Sequence, residues 1–526
     1  MHEILLLCLG LVLSVSFLVL LAQRLKIAYP IFLVIAGLIA GFIPGIPNTH
    51  INPDLVFLII LPPILYDAAQ NTSWKALWYW RRIISVMALG YVLLTATSVA
   101  LVSYYLIPGF TLAQGFLLGA IISPPDTAAA SAILKFVKIP KALASILEGE
   151  SLLNDATSLT IFRFALLAII SNHFVWHEAA FGFIMVVISG IIIGVVIGFI
   201  FYAIFRWLPT TANLNITLSI VLPYLIYLTA EALHSSGVLA VVSGGLFIAY
   251  QNHFVFSHSS RLKSNAIWSA LVFILNAVVF FLIGLQLPEI IHSVKDGALT
   301  ESLMVASLIS LVVIFVRLFS GLFSSVFTRF IGRFITVAQR RPGWRNPLIS
   351  SFMGMRGVVS LASALSIPLL LPGGRSFPNR DMILFITFVV IIITLVGQGL
   401  LLPWLIKKIK PQFIPAKTDE QQILEIELQL YNSALKKLRE TYPADITDNA
   451  LLKNKHELYD FKVKLLMDAK PGNLIGRFKK VMIEIIEHER RELHAFRRKN
   501  GYDDDVIRII ENRLDLEEER LEEESE

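Results

Sequence analysis

Long apolar runs separated by short polar stretches recur from Leu5 to Ile406 of this 526-residue chain. A helix needs roughly 20 such residues to cross a bilayer, and the runs predict about thirteen spans. They lie near 3–23, 28–44, 53–69, 82–107, 112–137, 141–170, 178–206, 215–233, 236–251, 264–289, 301–331, 347–371 and 381–406. The second, third and ninth are short and need tilt or burial by neighbours. After Ile406 the pattern changes. Apolar residues such as Leu424, Ile426, Leu428, Leu430, Leu435 and Leu438 are spaced among Glu, Lys and Arg, with no run long enough to span. Helices are predicted there near 418–442, 448–468, 475–498 and 503–523, with Glu517 to Glu526 acidic enough to be solvated or frayed. The fold class that follows is an all-α membrane protein. Its two domains are a transmembrane one over 1–410 and a C-terminal helical one over 411–526.

Composition supports the membrane reading: 56% of residues are hydrophobic and 16% charged, against about 25% charged in soluble domains. The net charge is +6, but its placement carries more information. Loops after odd-numbered spans hold Arg24 and Lys26; Lys75, Arg81 and Arg82; Lys138 and Lys141; Arg206; Arg261 and Lys263. Further on come Arg329, Arg333, Arg340, Arg341 and Arg345, then Lys407, Lys408 and Lys410. Loops after even-numbered spans are poor in Lys and Arg, with Lys295, Arg375 and Arg380 alone. By the positive-inside rule the N-terminus lies outside and the tail in the cytoplasm. The first span lacks a basic n-region and a small-residue cleavage site, so it reads as a retained helix rather than a signal peptide. Cys8 is the single cysteine, which excludes an intrachain disulfide framework.

An ionisable group at mid-membrane costs roughly 2.5–3.5 kcal/mol on insertion scales, so such residues mark function. Asp126 follows Pro124 and Pro125 halfway along the fifth span. Two prolines remove two amide donors and should break the helix, and a break at membrane depth is tolerated only where it faces protein or a cavity. Asp126 can also serve as a cap for the second half-helix. On the sixth span Glu150, Ser151, Asn154, Asp155 and Ser158 fall within an arc of roughly 140°. This polar stripe offers the oxygen ligands that hard cations need. Arg317, deep in the eleventh span, requires a partner, and Glu150 is the obvious candidate. Arg356 lies between Gly354 and Gly357 on the twelfth span, so this helix too is expected to be interrupted, with the guanidinium balancing half-helix carbonyl ends. Interrupted helices seven spans apart suggest an inverted repeat.

These residues sit in motifs that resemble the NhaP/NHE-type branch of the monovalent cation:proton antiporter superfamily. The motifs are Leu61-Pro62-Pro63-Ile64-Leu65-Tyr66-Asp67-Ala68, Ser123-Pro124-Pro125-Asp126, Gly149-Glu150-Ser151-Leu152-Leu153-Asn154-Asp155-Ala156, Ala232-Leu233-His234-Ser235-Ser236-Gly237-Val238-Leu239 and Met355-Arg356-Gly357. The resemblance implies an NhaA/NhaP-like fold whose fifth and twelfth helices are unwound and cross at an ion site. It implies that Asp155 binds cation or proton in turn, with Asp126, Ser151 and the main-chain carbonyl of Pro125 as further ligands of Na⁺ and with Asn154 as support. It also implies a Glu150–Arg317 ion pair, electroneutral one-for-one exchange, and a homodimer in a bacterial plasma membrane. Many relatives have Thr where this chain has Pro125 and Pro where it has Thr127, so Thr127 is a candidate to supply the missing hydroxyl. Monovalent cations, protons and the bilayer are the expected partners, with no cofactor, no enzyme chemistry and no nucleic acid.

Three rival readings share some of these features. A cation channel also uses buried carboxylates but lacks a coupling ratio. An intramembrane aspartyl protease needs a Gly-x-Gly-Asp motif that the chain lacks. A potassium/proton antiporter on the same scaffold differs only in its ion. Other residues have plainer readings. Asp67 reads as a helix-end group and Arg163 as a snorkelling side chain. Glu231 and His234 read as capping or packing groups at an outer helix end. Trp78–Trp80 and Phe174–Trp176 suit interfacial belts.

Overall fold

The computed structural model describes residues 2–44, 56–134, 136–137, 139–171, 176–208, 211–293, 299–331, 343–371, 374–411, 419–467, 472–497 and 504–523. The described residues are helical apart from short connections, and the one β-pairing among them is an isolated bridge between Leu370 and Ser376. Lys138, Lys295, Arg333, Arg340 and Arg341 lie outside the described residues, as do the side chains of Cys8 and of Phe174–Trp176. The chain divides into two units, Met1–Phe413 and Ile414–Glu526.

In the first unit, α1 (His2–Leu25), α2 (Tyr29–Gly41) and α3 (Leu61–Asn71) are followed by α4 (Trp74–Ser85) and α5 (Val92–Leu106). Then come α6 (Leu112–Ile122), α7 (Thr127–Leu134), α8 (Lys141–Ser171), α9 (Trp176–Trp207), α10 (Ala212–Ala232) and α11 (Gly237–Val255). The rest are α12 (His258–Leu285), α13 (Leu287–Ser293), α14 (Leu299–Ile331), α15 (Arg345–Phe352), α16 (Val358–Leu365), α17 (Arg380–Ile392) and α18 (Gly399–Ile409). Among the described residues seven helical stretches are long and apolar enough to cross a membrane, and five shorter apolar ones accompany them. With the interrupted pair α15 and α16, they follow the spans expected from the hydrophobic pattern.

One boundary differs. The fourth span starts at Trp74 rather than near 82 and runs continuously to Leu106. Ser73 caps it, accepting a hydrogen bond from the Ala76 amide. Lys75, Arg81 and Arg82 therefore lie on its first turns rather than in a loop. The Arg81 guanidinium stacks 4.4 Å from the Trp78 ring centre, which lets an amphipathic first turn hold cations at the interface.

Three π-helical turns interrupt this unit, at Val56–Ile60 before α3, Val86–Tyr91 between α4 and α5, and Ile393–Gln398 between α17 and α18. Each widens the coil locally. The last one turns Thr394 and Gln398 into the interior, where both are buried. Elsewhere helices approach closely over small residues. A Cβ on Gly194 of α9 would lie 2.1 Å from the Ala240 carbonyl oxygen of α11, so this crossing requires glycine.

The second unit holds α19 (Asp419–Thr441), α20 (Pro443–Asp448), α21 (Ala450–Met467), α22 (Gly472–Arg497) and α23 (Asp504–Glu523). Tyr431 and Tyr459 join α19 to α21 with ring centres 5.5 Å apart. Ile486, Leu514 and Leu521 join α22 to α23. The acidic end is ordered further than its charge suggests. Glu518 accepts an ion pair from Arg490 at 2.5 Å and Leu521 is buried, so helix continues to Glu523.

Candidate ion-binding site

Two broken segments meet in the interior. Ser123-Pro124-Pro125-Asp126 separates α6 from α7, and Met353-Gly354-Met355-Arg356-Gly357 separates α15 from α16. Prolines explain the first break, because neither can donate into a helical ladder. At the second, the Gly357 backbone is far from helical, with φ −153° and ψ −132°.

The crossing has two poles of opposite charge. The amino ends of α7 and α16 converge on the Asp126 carboxylate. Oδ1 accepts from the Ala128 amide at 2.9 Å and Oδ2 accepts from the Val358 amide at 3.3 Å. The Asp126 amide donates to the Met355 carbonyl at 2.6 Å. The carboxyl ends of α6 and α15 converge on Arg356. Its Nε donates to the Ile122 carbonyl at 2.8 Å, its Nη2 to that of Ser123 at 3.4 Å, and its Nη1 to that of Gly354. An anion at the positive helix ends and a cation at the negative ones offset the dipoles that unwinding exposes. The Arg356 amide donates to Thr394 Oγ1 at 3.2 Å, tying the crossing to the third π turn. Space at the crossing is tight: a Cβ on Gly357 would lie 1.7 Å from Asp126 Oδ2.

Helix α8 carries the polar stripe past this crossing. The Ser158 hydroxyl donates to the Ala120 carbonyl of α6 at 2.7 Å. Glu150 and Arg317 of α14 form an ion pair, with Nη2–Oε2 at 2.9 Å and Nη1–Oε1 at 2.7 Å. Their side chains are 1% and 3% exposed, so neither charge is screened by solvent. Arg317 fills the space beside Gly354, where a Cβ would lie 2.1 Å from its Nε. Tyr91 covers it, with the ring centre 6.0 Å from the guanidinium carbon.

Asp155 and Ser151 face a cavity of ≈ 930 Å³, whose wall also includes Pro124, Pro125 and Asp126. Asp155 is buried, and no hydrogen bond or ion pair reaches its carboxylate among the described residues. The cavity extends along α8 to Glu148, to Asp67–Thr72 at the end of α3, and to Asn265 near the start of α12. These ends neighbour Lys75, Lys141, Arg261 and Lys263. Asp67 is thus part of the cavity wall, beyond the helix-end reading that the sequence supports. Tyr29 and Asn276 line it too, without a sequence signal. Asn154 does not line it. Its amide is fully buried and makes no hydrogen bond among the described residues. The Thr127 side chain lies outside the described residues.

A bundle of apolar helices around a charge-compensated crossing, with an unengaged carboxylate on the wall of an interior cavity, defines a membrane transporter for small cations. The family follows from comparison. Residues 11–408 match the model of the family described as sodium/hydrogen exchanger, transmembrane. The chain belongs to that family, whose members are transporters rather than enzymes, and it is a multi-pass membrane protein.

It is 31% identical over 447 residues to the sodium, potassium, lithium and rubidium/H⁺ antiporter of Bacillus pumilus (strain SAFR-032), a match covering 84% of this chain and 66% of that one. It is 33% identical over 385 residues to the protein of the same description from Bacillus subtilis (strain 168), covering 72% of this chain and 57% of that one. The chain thus spans about two thirds or less of the length of these relatives. The solved structure of the sodium proton antiporter MjNhaP1 from Methanocaldococcus jannaschii at pH 8 superposes with a TM-score of 0.61. It is 18% identical, covers 78% of this chain and 100% of its own, and shares the fold.

Proposed function

We propose that the chain exchanges Na⁺ or Li⁺ for H⁺ across a bacterial plasma membrane, with the N-terminus outside and the tail in the cytoplasm. The observation that carries this is the Asp155 carboxylate, buried at the cavity wall with no partner among the described residues. It can hold a proton or a cation but not both. Ser151 and the Pro125 carbonyl add neutral oxygens of the kind a hard cation takes, and Asp126 adds negative potential.

Each Asp126 carboxylate oxygen accepts from one backbone amide and has a further lone pair for an ion. With Asp155 as the one carboxylate that trades cation for proton, exchange is one-for-one and electroneutral. Each loaded form of the site carries the same net charge, whereas the empty form leaves a bare buried anion that is costly to carry across. The cavity's position beside the Lys- and Arg-rich ends supports an inward-facing state. In this reading Glu150–Arg317 and Arg356 hold the scaffold of the site and do not touch the ion. Asn154 supports α8 beside Asp155, and Thr127 remains a candidate ligand. The transporter works as a homodimer without a cofactor.

A second reading, with K⁺ among the transported ions, is favoured by the names of the two Bacillus relatives, which include potassium and rubidium. The test is cation-induced proton movement in everted vesicles from cells lacking their own antiporters. Wild type should release protons on addition of Na⁺ or Li⁺, and Asp155→Asn should abolish the response in a correctly inserted protein. Retained exchange in that variant overturns the assignment of Asp155, and a response to K⁺, with or without one to Na⁺, selects the second reading.

A further inference from the structure

A second cavity of ≈ 280 Å³ is lined by Leu159, Thr160 and Arg163, C-terminal to Asp155 on α8, whereas the first is lined by Glu148, Ser151 and Asp155. Asp155 and Arg163 are eight residues apart on α8, about 12 Å along the axis. Leu152 and Ala156 of α8 pack in one apolar cluster with Leu61, Leu65, Val238 and Leu239, of which Leu61, Leu65 and Leu152 line the first cavity and Val238 the second. The outer cavity is walled on one side by α8 and by Ser366 at the end of α16, and on the other by α10 and the start of α11. Across it Arg163 Nη2 meets both oxygens of Glu231 on α10, at 2.6 and 2.5 Å. Arg163 Nη1 reaches the Ser235 carbonyl at 3.4 Å, and Glu231 Oε1 also accepts from the Gly237 amide at 3.3 Å, at the first turn of α11. Arg163 is thus ion-paired rather than snorkelling, while Glu231 does cap a helix, the start of α11. The pair staples the helix that bears Asp155 to the opposite wall.

We propose that Arg163–Glu231 is an outer latch, which holds the carrier in its inward-facing state and parts when Asp155 turns to the outer cavity. The inference rests on the antiport reading in one respect: an exchanger must present Asp155 to both sides. Helix α8 is bound to α6 through Ser158 and to α14 through Glu150, so it moves with them. Any opening between α8 and α10–α11 stretches this ion pair. The side chains are 40% and 31% exposed, so the attraction is partly screened and small enough to break in each cycle.

Loss of the latch shifts the population outward, and the apparent affinity on each face follows the fraction of carrier facing it. Arg163→Ala and Glu231→Gln are each expected to raise the inner-face Km for Na⁺ relative to the outer-face Km by about two- to fivefold, in the same direction, with exchange retained. The charge-swapped double variant, Arg163→Glu with Glu231→Arg, should return the ratio toward wild type. A purely structural role would lower the maximal rate and leave the ratio alone.

Accessibility gives a readout independent of transport. With Cys8→Ser as the thiol-free background, Thr160→Cys places a thiol on the outer cavity wall. Its labelling by an impermeant maleimide in right-side-out vesicles should accelerate severalfold when Arg163→Ala is added. Unchanged labelling with an unchanged Km ratio overturns the latch. If no cation drives exchange even in wild type, the antiport reading fails, and the labelling rate alone upholds or overturns the latch.

Discussion

Replacing Glu150 by Gln leaves two buried guanidiniums, Arg317 and Arg356, without the carboxylate whose field reaches both. Removing one member of a buried pair costs about 3–5 kcal/mol, because the remaining charge has no water to return to. With exposures of 1% and 3%, no discount for screening applies. At the lower end of the usual scale, about 2 °C per kcal/mol for a large domain, the melting temperature should fall by roughly 6–10 °C. Arg317→Met should cost less than Glu150→Gln, since Arg356 remains to compensate the stranded carboxylate. The double variant Glu150→Leu with Arg317→Met exchanges the pair for apolar groups of similar volume, and such replacements are often neutral. It should melt within about 3 °C of wild type. Thermal aggregation followed by size-exclusion chromatography in detergent reads all four proteins. The reasoning is refuted if both single variants melt with wild type, or if the double variant melts no higher than the less stable of the two single variants.

Gly357→Ala should abolish exchange in protein that still inserts, because its methyl would occupy the place of Asp126 Oδ2; normal vesicle activity would show that the two half-helices do not need this approach. Competition for one carboxylate predicts that, where the proton dominates, each unit of acidification raises the apparent Km for Na⁺ about tenfold on that face and leaves the maximal rate unchanged. Initial rates against Na⁺ at several pH values check this, and a falling maximal rate at constant Km would contradict it.

The chain's span pattern and both breaks were legible in the sequence, because hydropathy over about 20 residues and paired prolines are local signals. The candidate pair Glu150–Arg317 was legible for a different reason: a deeply buried arginine demands a carboxylate, and few exist at membrane depth. What escaped was contact between distant residues with plausible local explanations. Arg163 and Glu231 each read as interfacial helix-end groups, and nothing in spacing joins residues on α8 and α10. Asp67 lies at a helix terminus in sequence and on a cavity wall in space. The double use of Asp126, capping two half-helices at once, depends on the approach of Gly357, which periodicity does not encode. Lys75, Arg81 and Arg82 read as loop residues and hid the true start of the fourth helix. A charged first turn beside Trp78 looks, by composition, like a loop.

The π turn at Ile393–Gln398 has a consequence for how such a sequence can change through descent. One extra residue in a helix rotates everything after it by about 100°, so a single codon gained or lost there swaps the faces of the following segment. Losing a residue after Thr394 would leave its bond to the Arg356 amide in place and turn the buried Gln398 out of its present position. A point substitution in this stretch is a local event, whereas a one-codon gap is a mutation of every residue downstream to the helix end. Lineages that differ by such a gap should carry a compensating gap within the same helix.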